Sequence, residues 1–215
     1  MFRDRKDAAV QLGKALEKYK GTGALVLGVP RGGAETGFYV AQHLGAGFSL
    51  LISRKLGHPG NPEYAIGAIA EDGSVYISAR AREEVAQEAI DRATEKQKQE
   101  IQRRIETLRQ GKPLPSLEGK TVILVDDGIA TGATLFAAIK MCRNQKAGRV
   151  VVAAPVSGRE KKKELQELVD EVVILETPDL YFAVSQAYDT FYNLTDAEAL
   201  AFMDRWKKEG TAAKE

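Results

Sequence analysis

The residues with the clearest chemical potential lie between Val122 and Thr134. Four apolar residues, starting at Val122 and ending at Val125, predict a buried strand that leads directly into Asp126 and Asp127. Ionised carboxylates only accept hydrogen bonds, and they therefore suit the vicinal hydroxyls of a sugar. Small residues and threonines form the next loop, and a helix is predicted to start within it, so that its amides can hold a phosphate. The segment predicts a sugar-phosphate site.

This segment resembles the 5-phosphoribosyl diphosphate (PRPP) signature of the type I phosphoribosyltransferases, in which four apolar residues and two acids precede a Thr-Gly-x-Thr loop. The resemblance implies that Asp126 and Asp127 act in catalysis by binding the ribose 2′- and 3′-hydroxyls. It also implies that the loop holds the 5′-phosphate, through Gly128, Ile129, Ala130, Thr131, Gly132, Ala133 and Thr134. The alternative is an ordinary strand-turn-helix of a doubly wound sheet, although such a turn rarely needs two acids followed by two threonines around a glycine.

A second segment, Pro30-Arg31-Gly32-Gly33, interrupts an apolar strand at the place of the family's diphosphate loop. The resemblance implies that Pro30, Arg31, Gly32 and Gly33 bind the diphosphate through backbone amides and through the Arg31 guanidinium. A planar guanidinium can bind two phosphate oxygens at once. Taken alone, the four residues are more typical of a plain tight turn. Their position ahead of the acid pair favours the diphosphate loop.

A third segment, Ser53-Arg54-Lys55, ends the next predicted strand. The following residues, 57–64, are rich in glycine and proline and predict a loop. Family members carry a mobile loop here that closes over the diphosphate. Arg54 and Lys55 are therefore candidate catalytic residues that would stabilise charge on the departing diphosphate. The alternative is a solvated pair of cations at a strand end.

The stretch 177–184 resembles the closing segment of the 6-oxopurine phosphoribosyltransferases, in which an aromatic side chain stacks on the base. Tyr181 or Phe182 would be that side chain. The alternative is that these aromatic residues belong to the core. The resemblance also implies a Mg²⁺ ion, bound mainly through substrate oxygens. Its candidate protein partners are Asp126, Asp127 and Asp189.

Two departures from the 6-oxopurine pattern leave the acceptor open. Those enzymes carry an acid just before the Thr-Gly of the loop, where this chain has Ala130. They also place a lysine near the end of the next strand, where residues 153–156 of this chain contain none. The expected function is transfer of a 5-phosphoribosyl group from PRPP to a nitrogenous, purine-like base. The alternative is a non-catalytic regulator that senses PRPP or a nucleotide.

Other nucleotide-binding α/β classes are disfavoured by missing motifs. The chain contains neither Gly-x-x-x-x-Gly-Lys-[Ser/Thr], which holds phosphates in the P-loop enzymes, nor Gly-x-Gly-x-x-Gly, which holds dinucleotides. The first would be expected of kinase-like NTPases and the second of dinucleotide enzymes. The PRPP signature therefore remains the most specific motif of the chain.

Strands alternate with helices along the chain, which predicts an α/β fold with a mostly parallel central sheet flanked by helices. The resemblance implies the type I phosphoribosyltransferase fold with a small hood. We expect one domain, residues 1–215, in which 176–215 supply the hood and a C-terminal helix. The predicted helices are 4–19, 34–44, 79–110, 132–144, 159–169 and 195–208, and the predicted strands are 24–29, 48–53, 65–70, 74–77, 121–126, 149–155 and 171–175.

The helix predicted over 79–110 lies in an insertion, 79–112, outside the common core of the purine enzymes. It is highly charged and has one narrow apolar face. Charges of both signs are interspersed along it, which favours an arm packed on the body or on a second subunit over a helix that binds nucleic acid.

Composition narrows the classes of partner. The net charge of +1 gives no reason to expect nucleic acid or an anionic membrane as a partner. No apolar run approaches the ~18 residues of a membrane span, and the N-terminus lacks the apolar core of a signal peptide. The single Cys142 fits a reducing compartment. We expect a cytoplasmic homodimer that binds PRPP and a nucleobase-like acceptor and works in nucleotide salvage.

Overall fold

A five-stranded parallel sheet forms the centre of the computed structural model, which describes residues 1–212, without the side chains of residues 63 and 210–212. The strands are β1 (Leu25–Gly28), β2 (Gly47–Leu50), β6 (Thr121–Val125), β7 (Arg149–Val156) and β8 (Glu171–Glu176). Their order in the sheet is β2-β1-β6-β7-β8. All four neighbouring pairs are parallel, as the alternation of strands and helices predicts.

Helices cover both faces of this sheet because the inner strands are apolar along their whole length. One core cluster contains Phe38 and side chains of the flanking helices on the first face. The second cluster contains Phe136 and Met141 on the other face. The helices are α1 (Arg5–Ala15), α2 (Gly32–Leu44), α5 (Ala133–Asn144), α6 (Arg159–Gln166) and α7 (Asp196–Ala212).

A small antiparallel sheet replaces the loop that the sequence predicts over 57–64. Its strands are β3 (Ser53–His58), β4 (Asn61–Ala70) and β5 (Val75–Ile77). The prediction of a loop is therefore wrong, and only two residues remain between β3 and β4. Turn-forming residues within 57–64 concealed these strand ends, including Gly57, where a Cβ atom would lie 2.5 Å from the Pro62 carbonyl oxygen. The close approach of β4 requires glycine at that position.

The long helix predicted over 79–110 is interrupted, forming α3 (Ala79–Glu84) and α4 (Gln87–Arg109). Val85 between them has extended backbone angles. Helix α4 packs on the body of the protein against β3 and α7, and its buried side chains include Ile90, Ile101 and Leu108. The predicted arm on the body is thus observed.

The C-terminal region begins after β8 and contains one short 3₁₀ turn, Val184–Ala187, before α7. A capping box opens α7, because the Thr195 amide donates to Glu198 Oε2 at 2.7 Å and the Glu198 amide donates to Thr195 Oγ1 at 3.2 Å. Throughout residues 1–212, no helix combines the length and the apolar character that crossing a membrane requires.

Candidate functional site

The ends of two neighbouring strands bring the predicted site segments together. Strands β1 and β6 pair in parallel with Gly28 opposite Val125, and the Val29 amide donates to the Val125 carbonyl oxygen at 2.9 Å. The loops that follow both strands therefore lie at the same edge of the sheet, where ligands bind in open α/β folds. They line a cavity of about 280 Å³ with Arg31, Gly32, Lys55, Asp126, Asp127 and the loop Gly128 to Gly132.

The two carboxylates of the acid pair have different environments. Asp126 accepts a hydrogen bond from the Asp127 amide at 2.9 Å. Burial raises the pKa of Asp126 well above its ordinary value, and repulsion from the Asp127 carboxylate raises it further. The Asp127 residue is only 8% exposed and its Oδ2 accepts a hydrogen bond from Arg5 Nε at 2.7 Å. A ligand can therefore contact Asp126 directly, whereas Asp127 is already bound to the buried Arg5 guanidinium.

Arg5 is a site residue that sequence reasoning missed. Its guanidinium lies 4.3 Å from the centre of the Phe191 ring, and its Nη1 is 3.8 Å from Glu35 Oε2. That Nη1 is buried and has no hydrogen-bond partner in the described part of the chain. The sequence did contain a signal that could have indicated this role. Arg5 lies on the same face of α1 as the apolar residues Ala8, Ala9 and Leu12, and a charged side chain on a buried face needs a buried partner.

The phosphate loop contains two glycines at positions where a side chain would be strained or would not fit. Gly132 has φ of 71° just before α5 begins, and a Cβ atom at Gly128 would lie 2.5 Å from Val184 Cγ1. Ala130 and Thr131 are exposed at the tip of the loop. The first turn of α5 points unpaired amides towards the loop, which suits an anion.

One residue of the predicted phosphate loop already uses its amide within the sheet. The Ile129 amide donates to the Val156 carbonyl oxygen at 2.9 Å, and the residue is 1% exposed. That amide extends the pairing of the sheet and is engaged before any ligand arrives. The amide donors left for a phosphate therefore belong to the other loop residues.

The predicted diphosphate loop joins β1 to α2. It contains a cis peptide bond between Pro30 and Arg31. A Cβ atom at Gly32 would lie 1.9 Å from Asp127 Oδ2, so that only glycine leaves room for the acid pair in its observed position. The loop therefore constrains the acid pair as well as facing the cavity.

Arg54 and Lys55 diverge although they are adjacent in sequence. Lys55 lines the cavity of the acid pair. Arg54 donates from Nε to Gln97 Oε1 of α4 at 3.1 Å and lines a neighbouring cavity, which Lys55 lines as well. Of the two cations, Lys55 therefore reaches both cavities and Arg54 reaches only the second.

A third cavity, about 360 Å³, adjoins the phosphate loop at Ala130. Ala130 lines both this cavity and that of the acid pair, and Tyr181 lines the third cavity. The Tyr181 hydroxyl is buried with no hydrogen-bond partner among the described residues, and burial, followed by repulsion from Asp127, raises the pKa of Tyr181. Phe182 is 78% exposed and lines none of the three cavities.

The carboxylate oxygens of the acid pair are suitable ligands for a Mg²⁺ ion that is bound mainly through a substrate. Among the described residues, no group of three or more His, Cys, Asp or Glu side chains could hold a metal ion. Mg²⁺ commonly needs only one or two carboxylates besides waters and phosphate oxygens. Asp126 and Asp127 meet that need. The third predicted metal partner, Asp189, is exposed and outside the cavity lining, and its amide donates to the Phe2 carbonyl oxygen at 2.8 Å.

Comparison with known families matches this architecture to one of them. A model of the phosphoribosyl transferase domain matches residues 5–189. The chain belongs to the phosphoribosyl transferase domain family. The matched range runs from Arg5 to Asp189 and so includes the acid pair, the phosphate loop and the diphosphate loop.

Similar proteins occur in Mycobacterium tuberculosis and Thermus thermophilus. Two curated relatives from Mycobacterium tuberculosis, of strains CDC 1551 / Oshkosh and ATCC 25618 / H37Rv, carry provisional names as phosphoribosyl transferases. Each is 42% identical over 210 residues, which cover 95% of this chain and 47% of the relative. The chain thus spans about half the length of the curated relatives that it matches. The crystal structure of TT1426 from Thermus thermophilus is 36% identical with a TM-score of 0.81, covering 95% of this chain and 98% of that one.

Proposed function

We propose that the protein transfers a 5-phosphoribosyl group from PRPP to a nitrogenous, purine-like base and releases diphosphate. One observation carries the proposal: the acid pair, the phosphate loop and the cations Arg31 and Lys55 line one cavity at the carboxyl edge of the parallel sheet. The three chemical parts of PRPP are a phosphate, a diol and a diphosphate. The cavity offers amide donors, carboxylate acceptors and cations to match them.

Each part of the site has a separate task in the proposed reaction. Asp126 accepts hydrogen bonds from the ribose hydroxyls and thereby fixes the sugar. Arg31 and Lys55 stabilise the negative charge that develops on the diphosphate as its bond to C1 of the ribose breaks. Mg²⁺, when bound with PRPP beside Asp126 and Asp127, would neutralise part of the same charge.

Arg5 prepares the acid pair for the ribose. Two adjacent carboxylates repel each other, and the buried guanidinium compensates Asp127 at 2.7 Å. The hydrogen bond from Arg5 keeps the Asp127 carboxylate oriented before the substrate arrives. In this proposal Arg5 is a positioning residue, because it acts on the ribose through Asp127, to which its Nε donates.

The acceptor base is proposed to enter through the cavity between Ala130 and Tyr181. Ala130 is small and lines both that cavity and the proposed site of the ribose. The buried, unpartnered Tyr181 hydroxyl offers a hydrogen bond to a polar edge of the base. The stacking role expected of Tyr181 or Phe182 is therefore assigned to Tyr181.

Diphosphate release tests the proposal directly. With PRPP, Mg²⁺ and a panel of purine, pyrimidine and related nitrogenous bases, we expect at least one base to stimulate diphosphate release over the rate with PRPP alone. The Lys55→Gln variant should retain PRPP binding but lose roughly tenfold or more of that rate, since one cation near the leaving group is removed. Tight PRPP binding without turnover on any base would contradict transfer.

That last result would instead favour a protein that senses PRPP without catalysis. A specific observation favours this second function: the loop position before Thr131 is Ala130, which cannot move a proton to or from a base. Under both functions the acid pair and the phosphate loop bind PRPP.

A further inference from the structure

A larger cavity of about 660 Å³ lies beside the PRPP site and is strongly cationic. The diphosphate loop and β3 form one side, and α4 forms the other. No lining side chain that the structure describes carries a carboxylate. The cations in the lining are Arg31, Arg54, Lys55, Arg92, Lys96 and Arg104.

Most of these cations have no acidic partner. Within residues 1–212, the structure gives an ion pair only to Arg104, whose Nε lies 3.0 Å from Glu100 Oε1 and whose Nη2 lies 3.6 Å from Asp196 Oδ1. Arg54 is held by an amide, Gln97 Oε1, instead of a carboxylate. Gathering like charges raises the free energy of the folded protein, and a bound anion would recover that cost.

A buried hydroxyl gives an independent indication of a ligand. Ser53 lines the same cavity, is 3% exposed, and its Oγ has no hydrogen-bond partner among the described residues. Buried hydroxyls are nearly always hydrogen-bonded in native proteins. A phosphate oxygen in the cavity would accept from Ser53.

The extent of the cavity exceeds what a diphosphate requires. Arg31 and Lys55 also line the PRPP cavity, whereas Arg92, Lys96 and Arg104 lie on α4 beyond them. At 1.5 Å per residue, the α4 cations are spread over about 18 Å of helix. The volume is that of a pocket for a complete small ligand. A chain of several phosphates would contact both ends.

We propose that this cationic cavity binds a linear oligophosphate of three or more phosphate groups, at a position that overlaps the diphosphate of PRPP. The overlap rests on the proposed function, because it assigns Arg31 and Lys55 to that diphosphate. His58 is the only aromatic ring among the described lining residues. The phosphate chain, and not an attached nucleoside, is therefore the recognised part. Such a ligand excludes PRPP and inhibits the protein.

Calorimetric titrations with inorganic triphosphate, inorganic diphosphate, ATP and a single-stranded oligonucleotide test this site. We expect triphosphate to bind the full chain roughly tenfold more tightly than diphosphate, to compete with PRPP, and to match ATP within about threefold. The proposal would be overturned if triphosphate bound no more tightly than diphosphate, or if the oligonucleotide bound more tightly than triphosphate. If ATP bound substantially more tightly than triphosphate, the inference that the phosphate chain alone is recognised would be overturned.

The double variant Arg92→Gln/Lys96→Gln separates this site from the PRPP site. Both residues are exposed on α4, so the fold should persist, and the unfolding midpoint checks this. We expect triphosphate affinity to fall roughly tenfold or more while PRPP affinity stays within about twofold. The matched control, Arg80→Gln/Lys98→Gln, removes two exposed positive charges outside the cavity lining and should leave triphosphate binding unchanged. Equal losses for PRPP and triphosphate, or equal effects of both double variants, would contradict a distinct oligophosphate site.

Discussion

Replacing Asp126 and Asp127 together by asparagine should abolish PRPP binding. Each carboxylate that accepts a hydrogen bond from a ribose hydroxyl contributes about 1.5–3 kcal/mol, so the loss of both should weaken binding by roughly 100-fold or more. Titration calorimetry with PRPP and Mg²⁺ measures this loss. Asp204→Asn, on the exposed side of α7, is the matched control and should bind as the unmodified protein does.

The single variants distinguish loss of binding from loss of folding. Asp127→Asn removes the partner of the buried Arg5 and should also lower the unfolding temperature. Asp126→Asn should not, because the raised pKa of Asp126 means that its ionised form destabilises the folded protein. An Asp126→Asn protein that is stable and binds PRPP with full affinity would contradict the role of the acid pair.

Arg109→Met should cost about 3–5 kcal/mol of folding stability, the usual result of leaving one partner of a buried ion pair alone. The side chains of Arg109 and Glu71 are 3% and 7% exposed, and Arg109 Nη1 lies 3.1 Å from Glu71 Oε1. Arg109 Nη1 also donates to the Leu50 carbonyl oxygen at 3.2 Å. This pair attaches the C-terminal end of α4 to the body. Chemical denaturation measures the change.

The pH dependence of that variant gives a second test. Burial raises the pKa of Glu71, and Arg109 opposes the rise. Without Arg109, the folded-state pKa of Glu71 lies further above its unfolded value. The contribution of Glu71 to stability is then greatest below its pKa in the unfolded protein, and it is lost as the pH rises through its pKa in the folded protein. Arg109→Met should therefore be more destabilised at pH 8 than at pH 5.

Two further variants test whether an unpaired buried charge explains the loss of stability. Arg109→Met/Glu71→Leu should recover a large part of the loss, because no buried charge remains unpaired. Arg80→Met removes an exposed partner of Glu84 and should change stability little. A double variant no more stable than Arg109→Met would contradict the explanation by an unpaired charge.

Local sequence patterns were sufficient to predict the central sheet and the acid pair. Val122 to Val125 are apolar without interruption because β6 is buried on both faces, and Asp126 follows where the strand must end. The helix predicted from residue 195 is local in the same way, since the capping box that opens it joins Thr195 to Glu198, three residues away. These features depend on neighbours in sequence.

Features that depend on distant contacts could not be predicted in this way. Arg5 and Asp127 are 122 residues apart, so no local pattern links them. Glycine and proline in 57–64 indicate a loop, yet pairing with β3 forms a strand there. The break at Val85 carries no glycine or proline, and it occurs where α3 packs on β4 and α4 turns to pack on β3. Tertiary packing decides each of these cases.

The position of bound PRPP tests the central claim most directly. In a crystal structure of the complex with PRPP and Mg²⁺, we predict the ribose hydroxyls within hydrogen-bond distance of Asp126, and the 5′-phosphate on the amides of the loop that begins at Gly128. The diphosphate should contact Arg31 and Lys55. A 5′-phosphate bound elsewhere, with the ribose hydroxyls away from the acid pair, would contradict a PRPP site at this edge of the sheet.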